Sequence, residues 1–168
     1  MSLLEEITPS PRKVMTLFYL IDTSGSMGGS RIGTVNAAME ECIPLLKEVA
    51  AANDDAEIKV AILQFSSGCS WVTPVSGPVG LDDIIWNDLQ AGGMTEFGGA
   101  LLELDKKLSR NEYLNSQTGA YAPVILLLMW MKIHFRKLRW LMFQKNIRRD
   151  ICLKILVKEE QKRPMDVH

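Results

Sequence analysis

The sequence predicts an α/β fold: a doubly wound, mostly parallel sheet with helices on both faces. Two observations carry this. Residues 14–21 (VMTLFYLI), 58–65 (IKVAILQF) and 123–128 (PVILLL) are almost continuously apolar, the pattern of parallel strands buried on both sides. The stretches between them change to a helical period, and glycine-rich polar turns stand at the junctions.

The first strand, residues 14–21, ends abruptly in Asp22-Thr23-Ser24-Gly25-Ser26, followed by Gly28-Gly29-Ser30. A helix is expected next, because Ile32, Val35, Met39, Cys42, Leu46 and Val49 recur at spacings of three and four and form one apolar stripe. Pro44 falls inside that helix, where it removes a backbone donor and should kink it. Asn53-Asp54-Asp55 ends the stripe, and residues 58–65 form the second strand. Ser67-Gly68 reads as a turn and residues 69–75 as a short edge strand, closed by Gly77-Pro78. Leu81, Ile84, Ile85 and Leu89 suggest a short helix, followed by a second polar loop, Gly92-Gly93-Met94-Thr95. Phe97, Ala100, Leu101, Leu104 and Leu108 line a further helix, residues 109–122 read as loop, and residues 123–128 supply another buried strand. In the C-terminal part, residues 151–157 (ICLKILV) have the composition of one more strand.

With 168 residues and 47% apolar side chains, the chain is long and apolar enough for one buried core and is not a disordered segment. The net charge of −1 favours no class of partner, yet it conceals two unlike segments. Residues 1–128 carry 8 basic and 16 acidic side chains, whereas residues 129–168 carry 11 basic and 4 acidic ones. Such a division marks a domain, 1–128, followed by an atypical basic tail, 129–168. The three cysteines, Cys42, Cys69 and Cys152, form no Cys-x-x-Cys pair, and this sparse, odd set fits reduced thiols in the cytoplasm. The first ten residues contain Glu5 and Glu6 and no long apolar run, so no signal peptide is expected. No apolar run reaches the roughly 18 residues of a membrane span.

Ligands of doubly wound folds sit beyond the carboxyl ends of the strands. The Asp22–Ser26 turn and the Gly92–Thr95 loop should meet there, offering one carboxylate, Asp22, and three hydroxyls, Ser24, Ser26 and Thr95. These are oxygen donors without imidazole or thiolate, a set that selects a hard divalent cation, Mg2+ or Mn2+. Gly25 permits the tight turn that lets donors on alternate residues converge. An ordinary Asx turn would also use Asp and Ser here; the buried strand before the turn and the second loop favour the metal site. Cys42, Trp71 and Trp86 read as packing residues, and His134 and His168 form no ligand cluster.

The Asp-x-Ser-x-Ser pattern at Asp22, Ser24 and Ser26 after an apolar strand resembles the signature of the von Willebrand factor A family, and Thr95 matches that family's second metal-binding element. The likeness covers residues 14–128. Residues 18–27 and 58–128 most resemble small bacterial cytoplasmic members associated with tellurium resistance. The resemblance implies a Rossmann-like sheet and a metal-ion-dependent adhesion site. In it Ser24 and Ser26 touch the metal, Asp22 acts through water or holds the serines, and Thr95 binds directly or through water. An open coordination position would accept an acidic side chain of a partner protein. It implies binding rather than catalysis. Enzyme motifs are also missing: there is no Gly-x-Ser-x-Gly elbow and no Gly-x-x-x-x-Gly-Lys phosphate loop, and no motif places a His base beside Ser24. Neither nucleic acid nor membrane is expected as a partner of this site.

The pattern breaks after residue 128. The family continues with an Asp-Gly turn that supplies a second carboxylate, but this chain reads Met129-Trp130-Met131-Lys132, with no carboxylate until Asp150. Two explanations are open. In one, the tail is a genuine basic, aromatic segment (Trp130, Phe135, Trp140 and Phe143 among Lys132, Arg136, Lys137 and Arg139) that binds nucleic acid or an anionic membrane on the family scaffold. In the other, the reading frame has shifted. Met129-Trp130-Met131 must be encoded ATG TGG ATG, and dropping two bases yields Val-Asp-Glu, which restores an Asp at the position of Trp130. With one carboxylate left, metal affinity should be weakened, because ligand charge largely sets it. Loss of the final strands should also leave a sheet edge uncovered and open to self-association.

Overall fold

The computed structural model describes residues 12–128 and the strand Cys152–Leu156. The elements are β1 (Lys13–Asp22), α1 (Ser30–Ala51), β2 (Ala56–Phe65), β3 (Cys69–Trp71), β4 (Val79–Gly80), α2 (Phe97–Lys107), β5 (Val124–Leu128) and β6 (Cys152–Leu156). They form one sheet in the order β3-β2-β1-β5-β6, with β4 also on β2. β1 pairs in parallel with β2 from Lys13↔Ala56 to Asp22↔Phe65, and with β5 from Leu17↔Val124 to Ile21↔Leu128. β5 and β6 are parallel, while β3 and β4 run antiparallel to β2. The sheet is therefore mostly parallel, as the sequence predicts.

The apolar runs are explained by the two-residue period of a strand. Phe18 and Leu20 of β1, with Ala61, Leu63 and Phe65 of β2, face α2 and pack on Phe97, Ala100, Leu101 and Leu104. Leu17, Tyr19 and Ile21, with Val60 and Ile62, face the other way and pack with Met39 of α1. Each strand must be apolar on both sides because each side has its own helix. Parallel strands need a crossover, and α1 supplies it between β1 and β2. The path from β2 to β5 goes by way of α2 on the opposite face. The chain thus passes from β1 to one side and returns to the other, making the carboxyl end of β1 the switch point of the fold.

The edge strand expected at 69–75 is limited to Cys69–Trp71, and β4 is not foreseen in the sequence; two further elements also differ from the sequence expectation. α1 includes Pro44, as predicted, and Ile32, Val35, Met39 and Leu46 of the expected stripe pack on the sheet, but Val49 is 57% exposed, and Asn36 and Ile43 are buried beside the stripe. A polar residue, Asn36, thus shares the buried face. Asn36 Nδ2 donates to the Leu89 carbonyl (3.1 Å), and Leu89 N–H donates to Asn36 Oδ1 (3.0 Å). That pair also accounts for the second difference. The segment expected as a short helix holds only one 3-10 turn, Leu81–Asp83, and then runs without helix to α2. Leu81 and Leu89 are buried, but Ile85 is 79% exposed. An extended backbone there leaves Leu89 free to bond Asn36 instead of a helical neighbour.

The residues expected to pack do so. Trp71 lies against the α2-side core, its ring 5.0 Å from that of Tyr113. The Cys42 thiol is 3.5 Å from the Tyr19 hydroxyl, whose pKa is pushed up, first by burial and then by that contact. The residues beyond 128, with His134, His168 and the basic aromatic cluster, lie outside the described residues apart from the strand β6. β6 matches the strand expected at 151–157 and pairs with β5, so that among the described residues it is the outer strand on that side of the sheet. Among the described residues, no helix is long and apolar enough to cross a membrane.

Candidate functional site

The candidate site grows out of the last residue of β1. Asp22 is completely buried, Thr23 and Ser24 nearly so, while Ser26 and Thr95 are exposed. The site thus opens from a buried carboxylate to solvent-facing hydroxyls. The turn is held at its base by β2, since both the backbone N–H and the hydroxyl of Thr23 donate to the Phe65 carbonyl, at 2.8 and 3.1 Å. Asp22 Oδ1 accepts the Ser24 N–H at 2.9 Å, the local bond that closes an Asx turn. The Ser24 and Ser26 hydroxyl oxygens stand 3.0 Å apart. A 3-10 turn, Gly25–Met27, then leads through Gly29, at φ 71°, into α1.

The Gly92–Thr95 loop meets this turn, as its sequence predicts. Gly92 N–H donates to the Thr23 carbonyl at 2.8 Å, and Gly25 N–H donates to the Gly93 carbonyl at 2.9 Å. A Cβ on Gly25 would come within 3.3 Å of that carbonyl, so the absence of a side chain allows the close approach. Asp22, Ser24 and Ser26 are joined within one turn, and Thr95 is placed on the loop bonded to it.

A third element is not visible in the sequence. The turn between β2 and β3, which reads only as a reversal at Ser67-Gly68, also grips the loop. Met94 N–H donates to Ser67 Oγ at 2.9 Å, and Glu96 N–H donates to the Ser66 carbonyl at 2.7 Å. Gly93 has φ 79°, and a Cβ there would lie 2.6 Å from Ser67 Oγ. Gly93→Ala is therefore expected to cost about 1–3 kcal/mol, combining left-handed strain with displacement of the serine hydroxyl. A Cβ on Gly92 would meet nothing within 4 Å, so Gly92→Ala is the control. Urea unfolding of the two variants checks this, and equal midpoints would contradict it.

One atom of the site stands out electrostatically. Asp22 Oδ2 is buried and has no hydrogen-bond partner; among the described residues the only other such side-chain atom is Trp86 Nε1. A buried carboxylate oxygen left without a partner carries a large desolvation cost. It is the position a cation or its water would satisfy. Together with the Ser24 and Ser26 hydroxyls it makes an all-oxygen donor set of the kind hard divalent cations take. Among the described residues no group of three or more His, Cys, Asp or Glu side chains is placed to hold a metal, so any such ion would depend on hydroxyls. Beyond the rim, burial and then the nearby Glu103 and Glu96 carboxylates push the Cys69 thiol pKa up. Glu103 is held below the usual carboxylate range, chiefly by the Trp71 Nε1 hydrogen bond at 3.2 Å.

No protein-family model matches the chain, and no curated protein matches it. Solved structures match its fold. A von Willebrand factor type A structure from Catenulispora acidiphila superimposes with a TM-score of 0.54 at 16% identity, over 86% of this chain and 32% of that one. The PilB minor pilin from Streptococcus sanguinis gives 0.51 at 18% identity, over 71% of this chain and 30% of the pilin. Its D319A mutant gives 0.51 at 21% identity with the same coverage. The chain therefore spans about a third of the length of these structures. At such identities the likeness is one of fold: the chain has a von Willebrand factor A-like α/β fold.

Proposed function

We propose that this chain is a metal-ion-dependent, adhesion-type protein-binding module. Asp22, Ser24, Ser26 and Thr95 would hold Mg2+ or Mn2+, and an acidic side chain of a partner protein would complete the coordination. The observation that carries this reading is the buried, unpartnered Asp22 Oδ2 in the same turn as the paired Ser24 and Ser26 hydroxyls. A cation held by a single carboxylate keeps much of its charge and attracts an external anion. The same charge count makes the site weak, since Met129-Trp130-Met131 stands where the family has its second aspartate. The fold neighbours, a von Willebrand factor type A protein and a minor pilin, support a binding role by analogy. The finer reading, a cytoplasmic adaptor in a bacterial stress system of the tellurium-resistance kind, rests on the resemblance of residues 18–27 and 58–128 to those small members. No reaction is assigned to the site.

The test is thermal unfolding with and without metal. Wild type is expected to gain about 1.4 kcal/mol of stability at a metal concentration ten times Kd, a few degrees in Tm for a chain of this size. Asp22→Ala and Ser24→Ala should each abolish the gain. A gain that survives either substitution places the metal elsewhere.

A further inference from the structure

We infer that Ser67, which lies outside the Asp-x-Ser-x-Ser pattern and donates no oxygen to the proposed ion, is a positioning residue that sets the affinity of the site by fixing Thr95. The inference rests on the reading of Asp22, Ser24, Ser26 and Thr95 as a cation site.

Thr95 is exposed and lies on a loop with no regular hydrogen-bonding ladder to hold it. Its place is set by its neighbours in the chain. On one side Met94 N–H is bound by Ser67 Oγ at 2.9 Å, and on the other Glu96 N–H is bound by the Ser66 carbonyl at 2.7 Å. Both anchors come from one turn, itself closed by the Ser66 N–H bond to the Gly68 carbonyl at 2.7 Å. The backbone bonds of Gly92 and Gly93 tie the loop to the Asp22 turn but stop short of Thr95. Of the four anchors, only the one from Ser67 is made by a side chain, and so only it can be removed by substitution without touching the backbone. Gly93 adds a second sign that the contact is specific. Its left-handed backbone and missing Cβ leave the space that the Ser67 hydroxyl occupies. Cation coordination depends steeply on where each oxygen stands, and a ligand on a loop is only as well placed as the bonds behind it.

The experiment is a Mn2+ titration by calorimetry of wild type, Ser67→Ala, Ser67→Thr and Asp22→Ala, paired with amide hydrogen exchange of the metal-free proteins. Ser67→Ala is expected to weaken Mn2+ binding about 10-fold, the low end for a residue that supports a ligand from behind. It should also speed exchange at Met94 and keep the metal-free Tm within about 3 °C of wild type. Ser67→Thr, which restores the hydroxyl, should recover both the affinity and the protection. Asp22→Ala should bind no Mn2+. If Asp22-dependent binding is unchanged in Ser67→Ala, or Met94 exchanges as in wild type, the positioning role is wrong while the site stands. If wild type binds no Mn2+, or Asp22→Ala binds it normally, the site reading fails and this inference with it.

Discussion

Asp22→Asn is expected to remove the response to Mg2+ and Mn2+ completely while leaving the metal-free domain at least as stable as wild type. The carboxylate is fully buried, and only one of its oxygens has a partner, the Ser24 N–H at 2.9 Å on Oδ1. Asn keeps an oxygen for that bond and has nearly the same shape, so the turn should persist. It also removes a buried carboxylate whose second oxygen is unpaired, an arrangement that costs stability unless a cation or a donor satisfies it. Two thermal melts of each protein, with chelator and with saturating Mg2+, separate the terms. The expected result is a wild-type gain that the variant lacks, above an equal or higher metal-free Tm. A large drop in the metal-free Tm of Asp22→Asn would instead make Asp22 a structural residue, whose charge the fold needs without any ion.

The second large effect lies in the core that positions the site. Phe18→Ala should lower stability by about 3–5 kcal/mol, the cost of removing a large buried aromatic from a packed interior. Phe18 is fully buried on the α2 side of β1 and clusters with Leu20, Ala61, Phe65 and Ala100. Its ring stacks on Tyr113 at 6.4 Å between centroids with planes 12° apart. The comparison is Ile85→Ala, at a side chain 79% exposed, which should stay within about 0.5 kcal/mol of wild type. Urea unfolding reads both. A Phe18→Ala loss as small as that of Ile85→Ala would mean that β1 presents the wrong face to α2.

β1, β2 and β5 were legible because their residues alternate between two covered faces, so most of them are apolar; β3 and β4, on the sheet margin, carried no such signal. The candidate-site turn was legible for a different reason: Asp22, Ser24 and Ser26 are neighbours in the chain, and only Thr95 comes from a distant loop. What escaped the sequence depends on polar contacts between distant segments. Asn36 lies off the apolar stripe that the sequence shows, yet it is buried, its amide bonded to both the N–H and the carbonyl of Leu89, 53 residues away. Leu81, Ile84, Ile85 and Leu89 have helical spacing, but that spacing ignores where their backbone bonds go, and those of Leu89 go to Asn36. Ser67 is one serine in a turn, and its role appears only when Met94, 27 residues later, folds back onto it. Residues 129–131, where the sequence departs from the family pattern, lie outside the described residues.

The Asn36–Leu89 pair has a mechanical consequence. A partner pulling on an ion at Asp22 and Thr95 would draw on two strands of chain. One enters the sheet directly through β1, which is bonded along both edges. The other runs from Thr95 into the anchors of its own loop, the Met94–Ser67, Glu96–Ser66 and Gly92–Thr23 bonds, and only beyond them reaches Leu89, whose two hydrogen bonds tie it to the middle of α1. Under such a load the segment around Ile85 would lie behind both sets of bonds, and the force would divide between sheet and helix.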